Sequence, residues 1–144
     1  PAMWSDFLAP GFADYVALAH SYGLRVMHHT CGGVRPLIPM LVRYGLDVLQ
    51  SLQPEAHGMD PRELKATFGN VPHDKLAFQG GLSIQRTLPF GSPNDVATAV
   101  RECIDALAPG GGYILGSAHN IQADTPLANL DALFAAHRRY GAYS

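Results

Sequence analysis

Three side chains concentrate the chemical capacity of this chain: His29, Cys31 and His119. His29 and Cys31 are two residues apart in a short apolar segment that reads as a strand. Residues two apart on a strand leave the same face, so this imidazole and thiol would stand together, with His28 and Thr30 on the other side. Imidazole nitrogen and thiolate sulfur both suit Zn²⁺, and a catalytic zinc typically takes three protein ligands while one position stays open. His119 is the candidate third ligand, and Glu55 or Gln53 could contribute as well. The same His-x-Cys pair also reads as a hydrogen-bonded histidine beside an inert thiol, and spacing alone does not choose.

The elements that must position these groups follow from periodicity and from helix and turn signals. Residues 11–22 carry Phe12, Tyr15, Val16 and Ala19 at helical spacing before Gly23, after a loop-like start. Residues 24–30 form the first strand, residues 34–44 a helix stopped by Gly45, and residues 46–52 the second strand. Asp60-Pro61-Arg62-Glu63 opens a helix towards Phe68, with an N-cap acceptor and Pro at the first helical position. A third strand covers residues 76–79 and closes at Gly80-Gly81. Ser92-Pro93-Asn94-Asp95 opens a helix with Val96, Val100, Cys103 and Leu107 on one stripe; residues 113–117 make the fourth strand, and a last helix starts near Thr125-Pro126 and runs towards Arg139.

Helix, strand and helix alternate throughout, which predicts a parallel α/β architecture. Four strand-helix units fit either an open doubly wound sheet or half of a closed eight-stranded barrel. No strand leads into G-x-G-x-x-G or a Walker A sequence, which argues against the nucleotide-binding version. In both architectures ligands sit at the carboxyl ends of the strands. Those ends carry His29-Thr30-Cys31, then Gln50, Gln53 and Glu55, then Gln79 with Gln85, then His119, Asn120 and Gln122. Gln50, Gln53 and Gln85 each read equally as rim packing or as a substrate contact. Gly32-Gly33 could offer amides to an anion or serve a tight chain reversal. Cys103, on an apolar stripe, reads as a small hydrophobe, and His20, His57, His73 and His137 as surface or loop histidines.

With 47% hydrophobic and 15% charged residues, the chain has the composition of a domain with a substantial core. A formal charge of -2 with scattered basic residues gives no nucleic-acid footprint, which leaves small molecules as the expected partners. No apolar run spans a bilayer, no secretory layout is present, and two cysteines make no disulfide framework, so a cytoplasmic location with reduced thiols is expected. The chain begins at Pro1 and enters at once a pattern that looks like the middle of a fold, as a piece of a longer protein would.

Three ordered stretches, HHTCGGVRPLIPMLVRYGLDVLQSLQPEAHGMDPRELKATFG, FQGGLSIQRTLPFGSPNDV and GGGYILGSAHNIQADTPLANL, resemble the C-terminal half of the uroporphyrinogen decarboxylase superfamily. The resemblance implies a (β/α)8 TIM barrel of which this chain would cover about the last four βα units. That superfamily also contains zinc methyltransferases acting on methylated corrinoid proteins. In that branch zinc is held by an H-x-C motif and a further Cys shortly before a T-P motif. His29 and Cys31 match the first, whereas His119 occupies the place of the later Cys ahead of Thr125-Pro126. In the decarboxylases that place carries a substrate-contacting His in G-H-G-I, which Ala118-His119-Asn120-Ile121 resembles, but those enzymes lack the H-x-C pair. Ala128 departs from the Glu that many relatives carry before the Asn matched by Asn129.

The resemblance therefore implies a zinc enzyme of methyl transfer from a methylcorrinoid to a thiol or similar acceptor, with His29, Cys31 and His119 as metal ligands. Gln53, Gln79, Gln85, His119 and Asn120 would contact substrate, and a corrinoid protein would be a partner; a homodimer is also compatible. Two rivals stand beside it. One is cofactor-free decarboxylation of uroporphyrinogen III to coproporphyrinogen III, and the other a non-catalytic barrel domain that binds a corrinoid or tetrapyrrole. Half a barrel leaves two sheet edges and an open core, so the 144-residue piece alone is expected to be inactive.

Overall fold

A computed structural model describes residues 1–69 and 76–142. Its centre is a four-stranded parallel sheet in the order β1 (Met27–His29), β2 (Val48–Leu52), β3 (Ala77–Leu82) and β4 (Tyr113–Ser117). Sequential strand order has no reversal point, which is the barrel arrangement; a doubly wound sheet would reverse its order midway. The helices are α1 (Ala2–Phe7), α2 (Ala9–Ser21), α3 (Ile38–Arg43), α4 (Pro61–Leu64), α5 (Thr87–Phe90), α6 (Pro93–Leu107) and α7 (Leu127–Tyr140).

One face of the sheet packs under the helices. Leu49, Leu52, Phe78 and Leu82 from the strands meet Val96, Val100 and Leu107 from α6, all sealed from solvent. Each such side chain contributes about 1.5–3 kcal/mol by leaving water. The opposite face is more open, with Met27 45% and Ile114 48% exposed. Among the described residues no helix is long and apolar enough to cross a membrane.

The clearest match to expectation is α6. Ser92 accepts from the Asp95 amide while Asp95 accepts from the Ser92 amide, closing the expected capping box, and the buried residues of the helix are Val96, Val100, Cys103 and Leu107. Strand β4 also falls where predicted. Elsewhere the boundaries move for physical reasons. Residues 2–7, expected as loop, are helical, and α2 starts at Ala9 with Pro10 in its first turn. Strand β1 is shorter than the predicted 24–30, because Gly23 at φ +70 closes α2 and the Val26 amide turns to the Asp47 carboxylate. Pro36 and Pro39 split the expected 34–44 helix into a 3₁₀ turn, Arg35–Leu37, and α3. The helix expected to run to Phe68 becomes α4 followed by a π turn, Lys65–Gly69.

Strand β3 departs most. Gly80-Gly81 was expected to end it, yet the strand runs through both glycines to Leu82. They adopt φ +113 and +99, and a Cβ would stand 3.0 Å from the Leu52 amide at Gly80 and 3.1 Å from Cys103 Sγ at Gly81. The glycines admit close neighbours on both faces instead of turning the chain.

Candidate functional site

Parallel pairing sets His29 beside Gln50, Gln50 beside Gln79, and Gln79 beside Ile114. These residues form a transverse row on the open face of the sheet, so three polar side chains from β1, β2 and β3 stand abreast. His29 Nδ1 and Gln50 Oε1 are 3.2 Å apart, within reach of a bond in which the ring N–H donates to the amide oxygen. His28 faces the other way and meets Phe12 edge-on at 5.3 Å, as strand alternation predicts. Burial first, and the neighbouring His29 second, hold the His28 imidazole below its usual pKa.

Above this row, where the strands end, the predicted residues gather around a cavity of about 110 Å³. Its wall includes Cys31, Gln53, Glu55, Gln85 and His119, together with Ser51, Ile84 and Ala118. His29 joins from the side: its ring and that of His119 stand 5.2 Å apart in a T-shaped arrangement. Cys31 is exposed and sits two residues beyond the end of β1. It shares the rim with His29 without continuing the strand's alternation. Among the described residues no three His, Cys, Asp or Glu side chains converge in ligating geometry, so the predicted ligands surround one space without yet closing a cage.

The other predicted contacts take distinct places. Gln53 Oε1 accepts from the Gly32 amide at 3.0 Å, which braces the loop carrying Cys31 against the loop after β2. That bond, with Gly32 at φ +87, settles the Gly32-Gly33 pair as a tight chain reversal whose first amide is already engaged. Gln79 lies over Gly116 on the neighbouring strand, outside the cavity wall, and its Oε1 is buried with no hydrogen-bond partner among the described residues. Asn120 is exposed, and its carbonyl accepts from Gln122 Nε2 at 3.2 Å.

Two further polar groups, Glu55 and Ser51, shape the cavity. Glu55 accepts the Ser83 hydroxyl through Oε1, while its Oε2 is buried without a partner among the described residues. A buried carboxylate oxygen left open beside a thiol and an imidazole invites a cation or a donor. Ser51, which no sequence signal marked, is the sole non-glycine among the described residues at positive φ, +68, and its hydroxyl donates to the Ala118 carbonyl.

Asn129 is a further buried polar residue; its amide donates to the carbonyls of Leu88 and Gly91, both at 2.8 Å, tying α7 to α5 and the residue that ends it.

At the opposite end of the sheet Asp47 gathers the Val26 amide at 2.8 Å, Arg25 at 2.7 Å and His20 at 2.8 Å. Burial alone would raise the Asp47 carboxyl; the bonds from Val26, His20 and Arg25 outweigh it and hold it below its usual pKa. His20, at the surface as expected, is also a structural partner. His57 and His137 are exposed, as expected, and His73 lies outside the described residues. A cavity of about 360 Å³ lies between α4 and α6, with Pro54, Arg62, Ser83, Glu102 and Cys103 in its wall. Burial pushes the Cys103 thiol up to about 11, which removes it as a nucleophile.

The uroporphyrinogen decarboxylase (URO-D) family matches residues 1–140. Among solved structures, a methyltransferase from Methanosarcina mazei superposes with a TM-score of 0.75 at 23% sequence identity, covering 99% of this chain and 38% of that one. The chain thus spans well under half the length of that structure, and at this identity the likeness speaks for the fold, a (β/α)8 barrel of which four βα units are present. A comparison with curated protein sequences gives no match. Because the family match runs through all four strands and the helices that cover them, the chain belongs to the uroporphyrinogen decarboxylase family.

Proposed function

We propose that the rim formed by His29, Cys31 and His119 serves zinc-dependent methyl transfer from a methylcorrinoid to a thiol or similar acceptor. The observation that carries this reading is that Cys31 and His119, from opposite edges of the sheet, border one space beside the open Oε2 of Glu55, with the His29 ring stacked edge-on against His119. The donor chemistry fits the metal: nitrogen, sulfur and carboxylate oxygen are its ordinary ligands. The ring separation fits too, since two imidazoles on one tetrahedral ion with bonds of about 2.0–2.1 Å hold their centroids about 5 Å apart.

His29, Cys31 and His119 would hold the ion, with Glu55 as the nearest further donor. Zinc bound there would supply Lewis acidity that lowers the pKa of an acceptor thiol to give a thiolate. The chain's own residues do the remaining work. Gln53 holds the Cys31 loop in place through the Gly32 amide, Gln85 is exposed at the cavity mouth where an acceptor would be oriented, and Gln50 holds the His29 ring. The methyl donor would be presented by a corrinoid protein against the open face of the rim.

The test is the metal content of the purified full-length protein together with methyl transfer from methylcobalamin to a thiol. One zinc per chain, lost with activity in Cys31→Ala, is expected. A protein that binds no zinc, or a Cys31→Ala variant that keeps both metal and activity, overturns the proposal. A second reading, cofactor-free decarboxylation of uroporphyrinogen III, is favoured by the exposed position of His119 on the rim next to Asn120. Coproporphyrinogen formation that survives Cys31→Ala would select it.

A further inference from the structure

We propose that the bulge in β2 is the spacer that sets the two rim imidazoles: Gln50 orients the His29 ring, and Ser51 fixes the strand end that carries His119. The proposal rests on the zinc reading for its metal readout only; its claim about ring position stands on the geometry of the chain.

The pairing of β2 with β3 shifts register between Gln50 and Leu52. Ser51 occupies the bulge at φ +68 and is 1% exposed. A bulge re-aims side chains that strand alternation would send to opposite faces. Here two consecutive residues reach opposite edges of the sheet. Gln50 meets His29 on β1, whereas the Ser51 hydroxyl donates to the Ala118 carbonyl just beyond β4, the residue before His119.

Strands β2 and β4 are not neighbours, because β3 lies between them. The Ser51 bond crosses above β3 where that strand has no side chain: Gly80, at φ +113, lies so near that a Cβ would stand 3.0 Å from the Leu52 amide and 3.5 Å from the Ser117 carbonyl. The bare strand, the bulge and the hydroxyl act together. A serine in the left-handed region persists where its surroundings over-determine it, and such positions cluster at functional sites. On the His119 side the loop is tied a second time, because Ser117 Oγ donates to the His119 carbonyl at 2.6 Å.

On the His29 side, donation from Nδ1 to Gln50 Oε1 fixes the tautomer and leaves Nε2 as the acceptor nitrogen of the ring. An imidazole that donates one N–H to an outer partner and offers its other nitrogen is the arrangement used by metal-binding histidines. Gln50 and Ser51 are therefore positioning residues. Neither contacts a reacting atom.

The test compares Ser51→Gly, Gln50→Leu and Gln50→Glu. Glycine accepts the positive φ, so Ser51→Gly removes the hydroxyl without straining the backbone, while Gln50→Glu keeps an acceptor for Nδ1–H. In metal-free protein, a nuclear Overhauser contact between the ring protons of His29 and His119 is expected in the parent and in Gln50→Glu, and its loss in Ser51→Gly and Gln50→Leu. Zinc affinity, read by chelator competition with Zn²⁺ alone, should fall about 10–100-fold in those same two variants and hold in Gln50→Glu. No contact in the parent, or a contact that survives in both Ser51→Gly and Gln50→Leu, overturns the proposal. A contact that behaves as expected in a protein that binds no Zn²⁺ supports the spacer and sinks the zinc reading instead.

Discussion

The two ends of the sheet carry similar side chains in opposite conditions. At the amino ends of the strands, one carboxylate, Asp47, is saturated by a backbone amide, a guanidinium and an imidazole. At the carboxyl ends, Glu55 has one oxygen engaged and one open, the Gln79 Oε1 has no partner among the described residues, and Cys31, His29 and His119 face solvent. Buried polar groups in proteins are nearly always paired, so a closed cluster is what stability requires and unpaired atoms such as Glu55 Oε2 set the carboxyl ends apart from it. In a barrel this division follows the strands: the amino end serves stability and the carboxyl end chemistry.

The difference between the two ends is sharpest at Cys31. Replacing it by alanine should remove zinc binding and methyl transfer by more than the 10–100-fold typical of an outer partner. The unfolding midpoint of the metal-free protein should hardly move, because the side chain is exposed. Asp47→Ala should do the reverse. Truncating this carboxylate leaves an amide, His20 and Arg25 without their acceptor, which costs about 2–3 kcal/mol in urea unfolding while the metal-binding affinity of the folded protein stays at the parent value. A large loss of affinity in Asp47→Ala, with stability intact, would erase the distinction between the ends.

The same carboxylate gives the distinction a pH dependence. Its folded pKa lies below the ordinary value, so its stabilising contribution is fully present above about pH 4, the range of an unfolded aspartate, and is lost as pH falls through the folded value. Acid unfolding followed by circular dichroism should therefore lose this component in Asp47→Asn. The open rim should respond differently to neutralisation. Glu55→Gln keeps an acceptor for Ser83 but removes a charge with an unpaired buried oxygen, so stability should hold or rise by up to about 1 kcal/mol, while zinc affinity falls.

What the sequence made legible divides along the same lines. Helix α6 and strand β4 were readable because their signals are local: a capping box, a four-residue apolar stripe and a glycine run. The rim was readable because the carboxyl ends of parallel strands collect polar residues, which brought Cys31, Gln53, Glu55, Gln85 and His119 to one cavity. Whatever depends on distant neighbours was hidden. Asp47 and His20 are 27 residues apart, and nothing near either announces the pair. Gly80-Gly81 reads locally as a strand end, and only the approach of Leu52 and Cys103 makes it a strand interior. Ser51 is a serine like others until the register shift of β2 puts it at positive φ. The helices α1 and α5 were missed for another reason: six and four residues are too few to show a period.

The smallest effect is also the most selective, because it compares one functional group in the two environments. Cys103 is buried beneath Gly81, and burial raises its thiol to about 11; the Tyr113 hydroxyl offsets part of the rise and Glu102 adds to it. The thiolate is the reactive form, so at pH 8 only about one part in 10³ of Cys103 is competent even where reagent reaches it. Cys31 is exposed. Iodoacetamide should therefore modify a single thiol in the folded protein, at Cys31, and Cys103 only after unfolding. Prior addition of Zn²⁺ should slow the modification of Cys31, since a sulfur that shares a lone pair with the metal is a weaker nucleophile than the free thiolate. Unslowed labelling would place Cys31 outside the ligand set and leave His119 to the decarboxylase reading, while labelling of Cys103 in the folded protein would show that the helix side of the sheet opens as readily as the rim.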